Sequence, residues 1–246
     1  MVTAVMRMLP ALVFLAALLP VTPAHAGVVI AGTRVVYPAQ EKEVTVSLDN
    51  AAQRPALVQL WIDDGDQDTP PELAKAPFVV TPPLLRIDGG EKQALRIRFT
   101  GPAQPADRES VFWLNMLEIP PSSDSTEERL ELAFRTRIKL FYRPAGLPGD
   151  AATAHRQLQW SVLQGAQEVT LRVHNPTPWH VSFAEIGLQS GSVQAGHAGS
   201  GMVAPRSSQT FRLEGLTAVP VGELGVAYST ISDEGAVQPA VVPVAH

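Results

Sequence analysis

There is no cysteine anywhere in the 246 residues. Without disulfides, each domain of an exported protein must draw its stability from its own buried apolar core. Positive charge is scarce as well: 19 lysines and arginines stand against 24 aspartates and glutamates, a net charge of −5. A mildly acidic chain is a poor generic ligand for nucleic acid or an anionic membrane surface, so neither partner is expected. Reaction chemistry is also missing. No nucleophile elbow, phosphate-cradling glycine loop or paired-histidine zinc motif occurs. His155, His174, His180, His197 and His246 are never at metal-ligand spacing, and each reads as solvated or hydrogen-bonded. Asp64, Asp66 and Asp68 open like a calcium loop, but Thr69 stands where that loop needs glycine and Lys75 where it needs glutamate. An acidic loop tip is the better reading. No catalytic residue, cofactor or metal is expected.

Long apolar runs are limited to Met8–Val21, which Pro10 and Pro20 interrupt and which is too short to span a bilayer. Arg7 precedes this run and Ala24-His25-Ala26 follows it, the pattern of a secretory signal peptide over residues 1–26, with no membrane insertion thereafter. Its removal takes one arginine and no acid. That leaves 220 residues with 18 bases against 24 acids, a net charge of −6. Such a length suits two domains of about 110 residues or one large sandwich.

What is present is a succession of short β-type segments punctuated by 22 prolines and 18 glycines. Val44, Val46 and Leu48 alternate along one face, as do Leu95, Ile97 and Phe99. Ser110–Ile119 is apolar on both faces, which predicts a central strand. Strand after strand with turn signals between them predicts an all-β sandwich architecture. Pro and Gly without periodicity mark residues 145–154 as a linker, dividing 27–144 from 155–246. In the second half, Gly187–Gly201 reads as a glycine- and serine-rich loop.

The stretch around which the rest is organised is Arg129–Pro144. Leu130, Leu132 and Phe134 alternate with Glu131, Ala133 and Arg135, and Arg135, Arg137 and Lys139 add charge. The run is about twice the usual strand length of ~5–6 residues. Either it is an ordinary half-buried strand, or it is an edge kept available for pairing with another chain.

A family resemblance bears on that choice. Thr33 with Arg34–Pro38, Thr81-Pro82-Pro83, Asp107-Arg108-Glu109-Ser110, Glu118-Ile119-Pro120-Pro121, Ile138–Pro144 and Asn175-Pro176-Thr177-Pro178 occur in that order. Together they resemble the PapD-like periplasmic chaperones of the chaperone–usher pilus pathway, over essentially the whole chain after residue 26. The resemblance implies two immunoglobulin-like β-sandwich domains set as an L around a cleft, with no enzyme activity. It implies donor-strand complementation of pilus or fimbrial subunits and their delivery to an outer-membrane usher. Both the fold and the strand-donation mode are known features of that family. Carried over by position, Arg34 and Lys139 would anchor the subunit's C-terminal carboxylate. Leu130, Leu132 and Phe134 would be the donor residues, and Glu109, Arg143 and Asp233 would fix one domain against the other. The short Pro120–Glu128 loop is similar to the branch that builds rod-like pili. Self-association of free molecules through the same edge stays open.

Two tensions remain in the sequence. Lys139 has the opposite parity to Leu130, Leu132 and Phe134, so one cleft-facing set requires strong twist or a bulge between Thr136 and Ile138. A structural or adhesive pilus subunit is the alternative reading. A subunit would carry an alternating extension before its first domain, whereas only Gly27–Thr33 precedes Arg34. A secreted enzyme on a β-sandwich is the third reading, and the missing motifs count against it.

Overall fold

The computed structural model describes residues 27–119, 132–191 and 193–244. Strands β1 (Val28–Ile30), β3 (Val44–Asn50), β7 (Lys92–Phe99) and β5 (Phe78–Thr81) form one sheet in that order. Strands β2 (Arg34–Pro38), β9 (Phe134–Arg143), β8 (Ser110–Ile119), β4 (Ala56–Asp63) and β6 (Leu84–Ile87) form the sheet packed on it. The alternation read in the sequence fills the space between them. Val46, Leu48, Leu95 and Ile97 meet Val58, Leu114, Met116 and Leu140 in one core. Burying side chains of this size contributes roughly 1.5–3 kcal/mol each. β8 is the middle strand of its sheet, and its outer face, carrying Trp113 and the buried Asn115, is covered as well.

The second sandwich packs β10 (Gln159–Gln164), β11 (Val169–Asn175) and β14 (Ser207–Arg212) on β13 (Val193–Val203), β12 (Val181–Ser190), β15 (Leu224–Ile231) and β16 (Val237–Pro243). Its core gathers Leu171, Val173, Ile186, Leu188 and Val226 around Phe183, which meets Trp160 and Tyr228 edge-on. A short 3-10 segment, Ala151–Gln157, leads in, and its Ala154 is wholly buried in this core. The glycine-rich stretch expected as a loop is instead largely strand β13, paired with β12 through several register shifts. A ladder needs backbone, not side chains, and here a side chain would be in the way: a Cβ on Gly201 would come within 2.4 Å of the Phe211 ring.

Strand β9 carries two further differences from the sequence reading. It begins at Phe134 rather than at Arg129; Leu132 and Ala133 are irregular, and 129–131, with Leu130, lie outside the described residues, as does the Pro120–Glu128 loop. Its pairing with β8 runs without a break from Ser110 opposite Tyr142 to Glu118 opposite Phe134. Of the two devices expected, strong twist or a bulge between Thr136 and Ile138, the bulge is absent. The parity conflict resolves differently, because the two residue sets use opposite faces of one regular strand. Phe134, Thr136, Ile138, Leu140 and Tyr142 face the sandwich interior, and Arg135, Arg137, Lys139, Phe141 and Arg143 face outward.

Candidate functional site

The site is built on β9 and begins with its unequal edges. β8 pairs with the strand from Phe134 to Tyr142, whereas β2, in the one parallel ladder among the described strands, reaches only Lys139–Arg143. Among the described residues, the half from Phe134 to Ile138 therefore has one unpaired edge. Interior-facing residues change character along the same line. Leu140 and Tyr142 are core, while Phe134 is 65 % exposed and Leu132, just before the strand, 57 %. Phe134 and Thr136 overhang the open end of the first sandwich, where Val28, Met116 and Glu118 line a hollow of about 780 Å3. An exposed phenylalanine on an unpaired edge is a pairing surface that soluble proteins ordinarily suppress.

At the point where β2 begins, Arg34 lies directly beside Lys139 in the ladder. Arg34 lines a cleft of about 280 Å3 whose walls also include Phe141 and Arg143 of the first sandwich and Trp179, His180, Ser182 and Ile231 of the second, and Lys139 reaches that wall at Ser182. The Arg34 Nη1 donates to the Ile231 carbonyl at 2.8 Å, and its buried Nε has no partner. The Lys139 Nζ donates to the buried Ser182 hydroxyl at 3.1 Å and lies 5.7 Å from the Trp113 ring centre. Among the described residues neither cation pairs with a carboxylate. Burial, with the neighbouring Arg34 charge adding to it, pulls the Lys139 ammonium down to about 8. Burial lowers Arg34 too, partly offset by the charge of Asp233. Two adjacent half-buried cations short of counter-charge are chemically able to hold an anion with two acceptor oxygens.

Glu109, Arg143 and Asp233 come together across the junction of the sandwiches. The Arg143 Nε donates to Glu109 Oε1 at 2.8 Å, and its Nη1 and Nη2 donate to Asp233 at 2.7 and 3.2 Å. Burial works against the Arg143 charge, but the bonds to Asp233 and the charge of Glu109 outweigh it and hold its pKa above the usual arginine value. The second Glu109 oxygen accepts the His180 backbone N–H at 2.8 Å and lies 3.2 Å from His180 Nδ1. Trp179 lies beneath the Arg143 guanidinium, 5.0 Å from its ring centre. Asp233 sits in a tight turn closed by Gly235, which abuts Thr33 of the first sandwich. Arg206 adds an exposed contact, donating to the Asp107 carboxylate at 2.6 Å.

Three contributors escaped the sequence reading. Trp179 and His180 directly follow Asn175-Pro176-Thr177-Pro178, so the end of that motif was the available signal. The Asn175 side chain folds the segment by donating to the Trp179 carbonyl at 2.7 Å and accepting the Thr177 N–H at 3.0 Å. Ser182 gave no signal, since one serine in an apolar strand is ordinary.

Comparison with known proteins places this geometry among relatives. Residues 27–148 match the family described as the pili and flagellar-assembly chaperone PapD N-terminal domain, and 153–241 match the pili assembly chaperone PapD C-terminal domain. The chaperone protein FimB/FhaD of Bordetella pertussis is 43% identical over 222 residues, which cover 88% of this chain and 87% of that protein. The crystal structure of the YadV chaperone, whose counterpart in Escherichia coli is a probable fimbrial chaperone, superposes with a TM-score of 0.77 at 38% identity, over 89% of this chain and all of that one. A chain of the structure of the Salmonella enterica SafA pilin in complex with the SafB chaperone matches with a TM-score of 0.73 at 28% identity, over 91% of this chain and 98% of that one.

Proposed function

The chain belongs to the PapD family of pili and flagellar-assembly chaperones, and from that premise we propose that it captures fimbrial subunits by lending them the unpaired half of β9. It is a chaperone of the chaperone–usher pathway. In this reading an incomplete subunit sandwich pairs its edges with the Phe134–Ile138 backbone and takes Leu132 and Phe134 into its apolar groove. Leu130 would extend the same row. The subunit's C-terminal carboxylate binds between Arg34 and Lys139, which sets the register of the added strand from its far end. Opposite faces then divide the labour: the inward row supplies apolar contact, and the outward row supplies the anion anchor.

The observation that carries the reading is the edge of β9, bare where Phe134 is exposed and closed by β2 where the unpaired cations begin. Glu109, Arg143 and Asp233 hold the cleft walls at the spacing the carboxylate needs. The protein acts in the periplasm once residues 1–26 are removed, passes its subunit to an outer-membrane usher, and performs no covalent chemistry. Free copies shield the same edge by self-association.

Co-expression with a pilus subunit from the same genome tests this. Purification from the exported fraction through a tag on the chaperone should bring the subunit with it. Leu132→Glu should lose the subunit while the free protein melts unchanged, because an unpaired charge enters the groove only in the complex. Subunit recovered in full with the variant contradicts the proposal.

A further inference from the structure

We propose that Arg135 and Arg137, with Asp63, Asn115 and the loop after β4, brace the bare half of β9 in an extended shape before a subunit arrives, which makes them positioning residues for strand donation. The inference rests on the subunit-capture reading above.

A strand bonded on one side only has half a ladder to hold it straight. Here the missing support comes from the outer face. Arg137 reaches diagonally across the middle strand β8, over the Trp113 ring at 4.1 Å, to Asp63 on β4, where its Nε donates to Oδ2 at 3.1 Å and its Nη2 to Oδ1 at 2.5 Å. The same Nη2 donates to the Gly65 carbonyl at 3.0 Å. Arg135 lies 4.8 Å from the Trp61 ring centre, donates from Nε and Nη2 to Asn115 Oδ1 at 3.0 and 2.7 Å, and donates from Nη1 to the Gln67 carbonyl. Asp63 and Asn115 are wholly buried and bonded to each other at 2.7 Å. Asp63 also accepts the Gly65 N–H at 2.8 Å, and Gly65, at φ +125°, turns the loop so that its carbonyls meet the guanidinium groups.

The placement of this network separates bracing from general stability. Its two cations sit at 135 and 137, on the half of β9 that β2 leaves unpaired. From Lys139 onward, where β2 supplies a ladder, the outward residues turn to the cleft instead. A buried carboxylate is a poor choice for stability alone, since an apolar patch of the same volume is often as good or better. What it supplies is direction: bidentate, planar contacts that fix where the strand lies. A strand held ready loses less freedom on pairing. The acidic loop that resembled a failed calcium site has its role here, as the outer wall of the brace.

The test uses the full chain and two variants. Arg135→Gln cuts the strap to the loop. The double substitution Asp63→Leu with Arg137→Met removes both charges together, leaving neither unpaired. Amide hydrogen exchange at 134–138 is compared with 140–143, and affinity is measured for a pilus subunit of the same genome stripped of its N-terminal extension. In both variants exchange at 134–138 should accelerate while 140–143 and the melting temperature hold. If one molecule in ten keeps the half-strand extended, apparent affinity falls about tenfold. Unchanged exchange overturns the brace. Faster exchange with undiminished affinity overturns its part in capture. A parent protein that captures no subunit sinks the functional reading instead, and the exchange comparison still decides the brace.

Discussion

Lys139→Met should make the free protein more stable and a worse chaperone at the same time. Burial and Arg34 hold the Lys139 ammonium at about 8, against 10.5 for an unperturbed lysine. Each unit is worth about 1.4 kcal/mol, so carrying this charge at neutral pH costs the folded state on the order of 3 kcal/mol. Methionine keeps the stem and deletes the charge; the Ser182 hydroxyl loses its partner, which returns about 1 kcal/mol of the gain. The net expectation is stabilisation of about 2 kcal/mol at pH 7. The pH dependence carries the sign. Between about 8 and 10.5 the unfolded chain holds the lysine proton and the folded chain has released it, so wild-type stability rises with pH through that window and is flat below it. The variant lacks this rise, so the two curves cross within the window and the wild type ends about 1 kcal/mol the more stable at pH 10.5. Subunit affinity moves the other way, because the carboxylate needs the charged ammonium: it weakens in the wild type as pH climbs above about 8. Urea unfolding at pH 7, 8.5 and 10 measures the first effect, and titration of the subunit across the same range the second. A variant less stable than wild type at pH 7, with parallel pH profiles, would refute the desolvated-cation argument.

Arg143→Ala leaves Glu109 buried without its guanidinium and should cost roughly 3–5 kcal/mol; calorimetry gives the loss, and solution scattering should show a widened distribution of inter-domain angles. Asp233→Asn removes a more exposed partner and should cost no more than about 1 kcal/mol by the same calorimetry. Gly201→Val drives a side chain into the Phe211 ring and should lower second-sandwich stability by about 1–3 kcal/mol, with subunit affinity little changed if the two sandwiches act as read above.

Much of this was legible because a strand's period of two writes burial directly into sequence. Val44, Val46 and Leu48, or Leu95 and Ile97, have no other economical arrangement than one face on a core. The cations Arg34 and Lys139 came instead from the family resemblance, carried over by position. Ladder register was not legible. Leu132 and Lys139 differ in parity, and whether a bulge reconciles them depends on how β8 pairs, a contact made twenty or more residues away. Asp63, next to the acidic loop tip, gave no signal of its own, because nothing local shows that Arg137, seventy-four residues later, completes it. Glycine-rich β13 failed for the opposite reason. Composition described its missing side chains, whereas its fate was set by the neighbouring β12 ladder and by the Phe211 ring that needs the space at Gly201.

Because the chain has no cysteine, single thiols introduced at 132, 133 and 134 report on the donor face one residue at a time. All three should react with a maleimide in the free protein, since Leu132, Ala133 and Phe134 are exposed. In a complex with a pilus subunit, Leu132→Cys and Phe134→Cys should be protected and Ala133→Cys should stay reactive. Protection of all three alike, or of none, would contradict the claim that this strand is lent with its inward row to the subunit.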